Sequence, residues 1–197
     1  MAFVGMKYVV AAKLESETPG QSPVYGKGFR VGKAIESTVS YTRASNVLRA
    51  DDADAEADNS ITGGTLSMNV DDIPDSVTTD LLGNTVNEDM EYDEVGDSAP
   101  YVGIGYLRAR RHKNVTSYVA YWIWKTMLGI ESETATTKQE TTQWQTPSLT
   151  GSMLAVQPDS TMRNKFRRRK TFEGETAEAE ATAWLNKMAN ITEAADE

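Results

Sequence analysis

The chain has 197 residues, long enough for one domain with a real core and room for an added segment. Lys and Arg number 20 against 29 Asp and Glu, and the resulting net charge of −9 argues against a general binder of nucleic-acid phosphates. There is no cysteine, which excludes disulfides, thiol chemistry and Cys-based metal sites.

In chain order, the apolar run Lys7 to Ala12 is the expected first strand. The residues before it lack the charged segment and long apolar run of a signal peptide, and no window reaches ~18 apolar residues, so neither secretion nor membrane anchoring is expected. Glu15 to Gly28, rich in Gly, Pro and Ser, reads as loop. Lys33 to Arg43 alternates: Ile35, Ser37, Val39 and Tyr41 share one face, and Glu36, Thr38, Ser40 and Thr42 take the other, as in a half-buried strand. Asn46 to Ala50 continues it after a kink. Asp51 to Ser60 follows with Asp51, Asp52, Asp54, Glu56 and Asp58 and nothing large and apolar, so it is expected to be an exposed loop or arm. Thr65 to Val70 alternates again, with Leu66, Met68 and Val70 inward.

Pro74 to Leu82 reads as a short helix, with Pro74 at its first position, Asp75 at its positive end and Gly83 as its stop. Val77, Leu81 and Leu82 form its packing face. Glu88 to Gly96 is acidic and is expected at a sheet edge. Ser98 to Met127 then holds the densest apolar aromatic surface in the chain. Two β-branched and aromatic runs flank a polar break at Arg111 to Asn114, which is a hairpin signal. Tyr118, Trp122 and Trp124 fall on one face, and Val119, Tyr121 and Ile123 on the other. Both faces are apolar, so the hairpin is expected to be central and covered on both sides, with Tyr101 also in its core.

Ile130 to Glu140 reads as loop, Thr141 to Gln157 as a strand region, and Arg163 to Thr171 as a basic segment. Glu175 to Asn190 is a helix whose face is Ala177, Ala181, Trp184, Leu185 and Met188. Its early glutamates (Glu175, Glu178, Glu180) and late Lys187 suit the helix dipole. The fold class is therefore mainly β, a sandwich or barrel with one short internal helix at about 74–82 and a C-terminal helix at about 175–190.

The chemistry is sparse. His112, the sole histidine, sits in the basic turn of the hairpin, where a solvated turn residue is the ordinary reading; zinc sites and Ser-His-Asp triads lack partners. The acidic stretch lacks the glycine and terminal glutamate of a calcium loop. Gly26-Lys27-Gly28 and Gly103-Ile104-Gly105 do not extend to a nucleotide-binding pattern, and glycines inside a strand ordinarily mark close approach. No catalytic residue, cofactor or metal is expected. Two basic runs stand out, one with Arg108, Arg110 and Arg111, the other with Arg167, Arg168 and Arg169. A solvated face is the default for each. Nucleic acid is a second reading, and pairing with the acidic loop of a neighbouring copy is a third, since one chain carries dense patches of both signs. A β chain of this kind without a catalytic set suits a self-assembling structural protein. A β-sandwich carbohydrate-binding or adhesion module, with Trp122, Trp124 and Trp144 as its platform, is the alternative from another class, and a jelly-roll glycosidase using two carboxylates is a third that no residue set supports.

The order of segments from about Gly5 to Val156 resembles the major tail protein of long-tailed bacteriophages with non-contractile tails. The resemblance is carried by Val47-Leu48-Arg49-Ala50-Asp51-Asp52 running into an acidic loop, by Asp72-Ile73-Pro74 with the helix closing at Leu81-Leu82-Gly83, by Ser98 to Tyr106, and by Gln145 to Gly151. It implies a tail-tube β domain over 1–158 with an arm at about 44–64, and an extension over 159–197 that departs from the compact pattern. It further implies a virion protein assembled in the host cytoplasm, forming rings of six that stack into a hollow tube; a tail-completion or capsid-decorating virion protein is the nearest alternative in kind. Its partners would be copies of itself, the tape measure protein, the tail terminator and the distal tail tip proteins. DNA would pass through the lumen without specific binding. Asp51, Asp52, Asp54, Glu56 and Asp58 would belong to the inter-subunit or inter-ring arm.

Overall fold

The computed structural model describes residues 2–50, 53–87, 90–92, 95–113, 115–130, 137 and 146–192. Asp51, Asp52, Trp144, most of the expected loop before residue 141 and the start of the strand region after it lie outside the described residues. Among the described residues the fold is mainly β, with two helices, and every strand pairing is antiparallel.

The strands in chain order are β1 (Ala2–Ser16), β2 (Val24–Tyr25), β3 (Phe29–Gly32), β4 (Ala34–Arg43), β5 (Asn46–Ala50), β6 (Ala53–Asp58) and β7 (Ile61–Val70). Helix α1 (Asp75–Leu82) is followed by β8 (Thr85–Asn87), β9 (Met90–Tyr92), β10 (Tyr101–His112), β11 (Val115–Ile130), β12 (Ser148–Met153), β13 (Arg167–Phe172) and helix α2 (Ala177–Met188). One sheet runs β2-β1-β10-β11-β12-β7-β4, with β3 added to β1 and β13 added to β11.

The β10–β11 hairpin is the spine. Its strands close on the pair His112–Val115, with Lys113 at a φ of 44°, the left-handed conformation that a short hairpin turn favours. Successive side chains of β11 alternate between two separate cores, as the period of two requires. Val119, Tyr121 and Ile123 enter the first, with Val9, Ala11, Leu66, Met68, Val70, Leu81, Ile104, Leu128 and Leu149. Ala120, Trp122 and Trp124 enter the second, with Val10, Leu107, Phe172, Ala177, Ala181 and Leu185. The first core is enclosed by the curl of the sheet and by α1. The second lies under α2. Both faces of the hairpin are thus covered, as the two apolar faces in the sequence predict.

Trp122 is fully buried, and β10 makes room for it with glycines. A Cβ at Gly103 would sit 2.4 Å from the Trp122 ring and 2.6 Å from the Tyr25 ring, which leaves no space for one. The Tyr25 hydroxyl donates to the Trp124 carbonyl and accepts from Trp122 Nε1 at 3.4 Å, so it ties β2 to the spine through two buried polar groups.

Several elements differ from the sequence reading. The first strand runs Ala2–Ser16, well beyond Lys7 to Ala12, because its flanking residues are held by pairing with β10 as far as Arg111. The expected loop Glu15 to Gly28 contains β2, two residues paired with the end of β1. Ile35 is 51% exposed, because the register shift between Ala34 and Glu36 reverses the parity of β4 and turns Ala34 inward in its place. Pro74 is the N-cap of α1 rather than its first residue, and Gly83 closes the helix at a φ of 84°. Met90–Tyr92, in the expected acidic edge, pairs with β8 in a two-stranded ribbon apart from the main sheet among the described residues. Tyr101, expected in the hairpin core, is 42% exposed, because it opens β10 opposite the exposed Met127, beyond the reach of either core.

Candidate assembly surfaces

The arm. Strands β4 and β7 pair through Arg43 and Ile61, the Ala44 amide donates to the Ser60 carbonyl at 2.8 Å, and pairing resumes from Asn46–Asp58 to Ala50–Ala53. Residues 34–50 and 53–70 are therefore the two limbs of one long antiparallel pairing. Its inner half belongs to the main sheet. Its outer half, β5–β6, is a separate two-stranded sheet. Arg43 Nη1 reaches the Asn59 carbonyl at 3.1 Å, and Asp58 accepts the Ser60 amide at 2.9 Å, so the junction is tied. Glu56 and Asp58 are exposed, as is Val47 at 48%. A register shift between Leu48 and Arg49 sets Glu56 opposite Leu48 and Asp54 opposite Arg49. The sequence reading of an exposed loop or arm becomes a paired ribbon here. A two-stranded ribbon alone is marginal in water, and this one is extended by the β4–β7 pairing at its base.

The arginines. β10 and β13 flank β11 on opposite sides, which brings the two basic runs of the sequence together. Arg108 pairs with Val119, Arg110 with Ser117, Arg169 with Tyr121 and Arg167 with Ile123. Directly opposed residues share a face, so these four arginines lie on the face of the first core. Arg111 and Arg168, opposite Thr116 and Trp122, lie on the face covered by α2.

Aromatic rings set the posture of this row. The Arg108 guanidinium lies 3.8 Å from the Phe3 ring centre, and Arg167 sits between Tyr41 and Tyr121 at 5.3 and 5.2 Å. Tyr121 itself stacks on Tyr106 at 5.2 Å, and burial raises the pKa of the Tyr106 hydroxyl. Arg110 donates to Ser117 Oγ at 3.2 Å and to Glu173 at 3.4 Å. Arg169 is exposed. On the other face, Arg168 lies 6.0 Å from the Trp184 ring. A shallow groove at Arg108 is lined by Phe3, Gly5, Met6, Ile35, Glu36 and Ser37.

The C-terminal segment is fastened to the spine from both sides. β13 pairs with β11 from Tyr118–Phe172 to Ile123–Arg167, and α2 covers Trp122. The Lys7 amine bonds Glu178 and stands 4.8 Å over the Tyr118 ring. That amine, together with the Tyr118 hydroxyl, holds the Glu178 carboxyl below its usual range. The Lys165 amine and Thr161 hydroxyl, both on Asp159, hold its carboxyl at about 2 and fix the turn before β13.

His112 is exposed at the end of the hairpin. Among the described residues no three or more His, Asp or Glu stand where they could hold a metal ion, and no helix is long and apolar enough to cross a membrane. Trp122 and Trp124 are buried, so neither can serve a sugar platform. No local pattern around Tyr25 marks it as the anchor of the second core. No protein-family model matches the chain, and no curated protein matches it.

Proposed function

We propose that the chain is a self-assembling virion structural protein, the subunit of the tube in a long, non-contractile phage tail. The observation that carries the reading is the arm: a paired, acidic ribbon that extends the β4–β7 pairing and finds no second layer in its own chain among the described residues. Such a ribbon gains stability by lying on another surface. The curled sheet supplies a rigid body for ring formation, and closed rings resolve the open edges at β4 and β13.

In this reading, rings of six stack into a hollow tube. Copies of the chain are the first partners; the tape measure protein, the tail terminator and the distal tip proteins are the others. The excess of carboxylates suits a lumen through which DNA slides, since bound phosphates need basic partners. The chain has no catalytic role and takes no cofactor in this account. Negative-stain electron microscopy of the purified protein over a concentration series tests it. Rings or hollow tubes of uniform width are expected, and monomers throughout would overturn it.

A further inference from the structure

We propose that the arginine row on the first-core face of β10 and β13 (Arg108, Arg110, Arg167 and Arg169) is the docking surface for the acidic arm of a second copy of the chain. The proposal deepens the assembly reading above and rests on it. The two surfaces are complementary in charge and in spacing. Glu56 and Asp58 are two apart on one side of β6, and Arg167 and Arg169 are two apart on one side of β13. Residues two apart in a strand are separated by about 6.6–6.8 Å, so both carboxylates can meet both guanidiniums along one line. Arg108 and Arg110 repeat the same spacing on β10.

The row is built and only partly neutralised. Within the described residues only Arg110 of the four has a carboxylate, Glu173 at 3.4 Å, while Arg108 and Arg167 are propped on aromatic rings and Arg169 points to solvent. Rings hold a guanidinium in place and leave its N–H groups free to donate. The arm in turn makes no ion pair with this row in its own chain among the described residues, so the occupant is a second copy. Nucleic acid would see the same arginines, but a chain of net charge −9 repels it over most of its surface.

The absence of native cysteine makes the test clean. Full-length Asn46→Cys and Thr171→Cys proteins, altered at exposed positions opposite Asp58 and Val119 on the two proposed faces but outside the charged pairs, are mixed and oxidised, and mixed disulfide is quantified by mass spectrometry. An Asn46→Cys and Lys187→Cys mixture is the control, because Lys187 lies exposed on α2. The expected result is about tenfold more mixed disulfide for the 46–171 pair, lost when Glu56→Arg is added to the first protein. Equal yields for the two mixtures, or binding of single-stranded DNA to the row with no cross-link, would overturn the proposal. Rings seen in micrographs without the cross-link would remove this docking site and leave the tube reading standing. The cross-link without rings or tubes would keep the docking site and remove the tube.

Discussion

Leu185→Ala puts the packing of the C-terminal helix to a quantitative test. Leu185 is fully buried in the second core, with Leu107, Trp122 and Ala181 around it, and it presses on β10 where Gly105 leaves space. Removing three buried carbons costs about 2.4 kcal/mol in transfer alone at about 0.8 kcal/mol per carbon, and the cavity left behind brings the total to about 3–4 kcal/mol. In a chain of this size that lowers Tm by about 6–16 °C. Urea titration followed by tryptophan fluorescence, alongside thermal melts by circular dichroism, measures it. The exposed Lys187→Ala serves as a control and is expected to stay within about 0.5 kcal/mol of the parent. A loss below about 1 kcal/mol for Leu185→Ala would refute the reasoning, since it would mean that α2 is an ornament that the spine does not need.

Tyr25→Phe strips two buried groups of their partner, Trp122 Nε1 and the Trp124 carbonyl, and is expected to cost about 1–3 kcal/mol in the same titration. Burial raises the pKa of Tyr25 above its ordinary 10.0. Its folded-state pKa is the higher one, so its contribution is complete below pH 10 and is lost as pH rises beyond it; alkaline melts should fall less steeply for Tyr25→Phe. Asp159 has the opposite sign. Its carboxyl is held at about 2 against an ordinary 3.8, so its contribution is present above pH 3.8 and fades as pH falls toward 2, and Asp159→Asn should flatten that part of the acid melt. Gly103→Val forces a branched side chain into the Trp122 and Tyr25 rings, and should destabilise by about 1–3 kcal/mol or leave the protein insoluble, as solubility and melting assays would register.

What the sequence revealed depended on whether side-chain pattern or backbone pairing defines an element. The β10–β11 spine was legible because its aromatics alternate with a period of two, and α2 because Ala177, Ala181 and Leu185 recur at helical spacing. β13 was not legible as a strand. Arg167 to Lys170 have no apolar alternation, and their extended backbone is fixed by hydrogen bonds to β11, which no local pattern records. β6 was hidden for the same reason: alternating alanine and carboxylate has little strand propensity, and its register follows from the β4–β7 pairing that feeds it. Ile35 was placed inward because a strict period of two cannot anticipate a bulge.

The basic runs were visible as charge, and their separation of some 60 residues in sequence concealed that they are neighbours across one strand. Once β10 and β13 are seen to flank β11, four arginines share a face and two do not. That sorting turns a list of charges into a candidate surface with a direction. Tyr25 illustrates the converse. It sits in a two-residue strand inside a Gly- and Pro-rich stretch, and its importance comes wholly from long-range contacts with Trp122 and Trp124.

Electron microscopy of the intact chain beside one whose arm, residues 46–58, is replaced by a short Asn-Gly turn tests the central claim most directly. The arm is its own two-stranded sheet, so the shortened chain should melt within about 2 °C of the parent. The account predicts rings or hollow tubes of uniform width for the intact chain at high concentration, and dispersed monomers for the shortened one. Monomers from the intact chain at every concentration, or tubes from both chains alike, would contradict it.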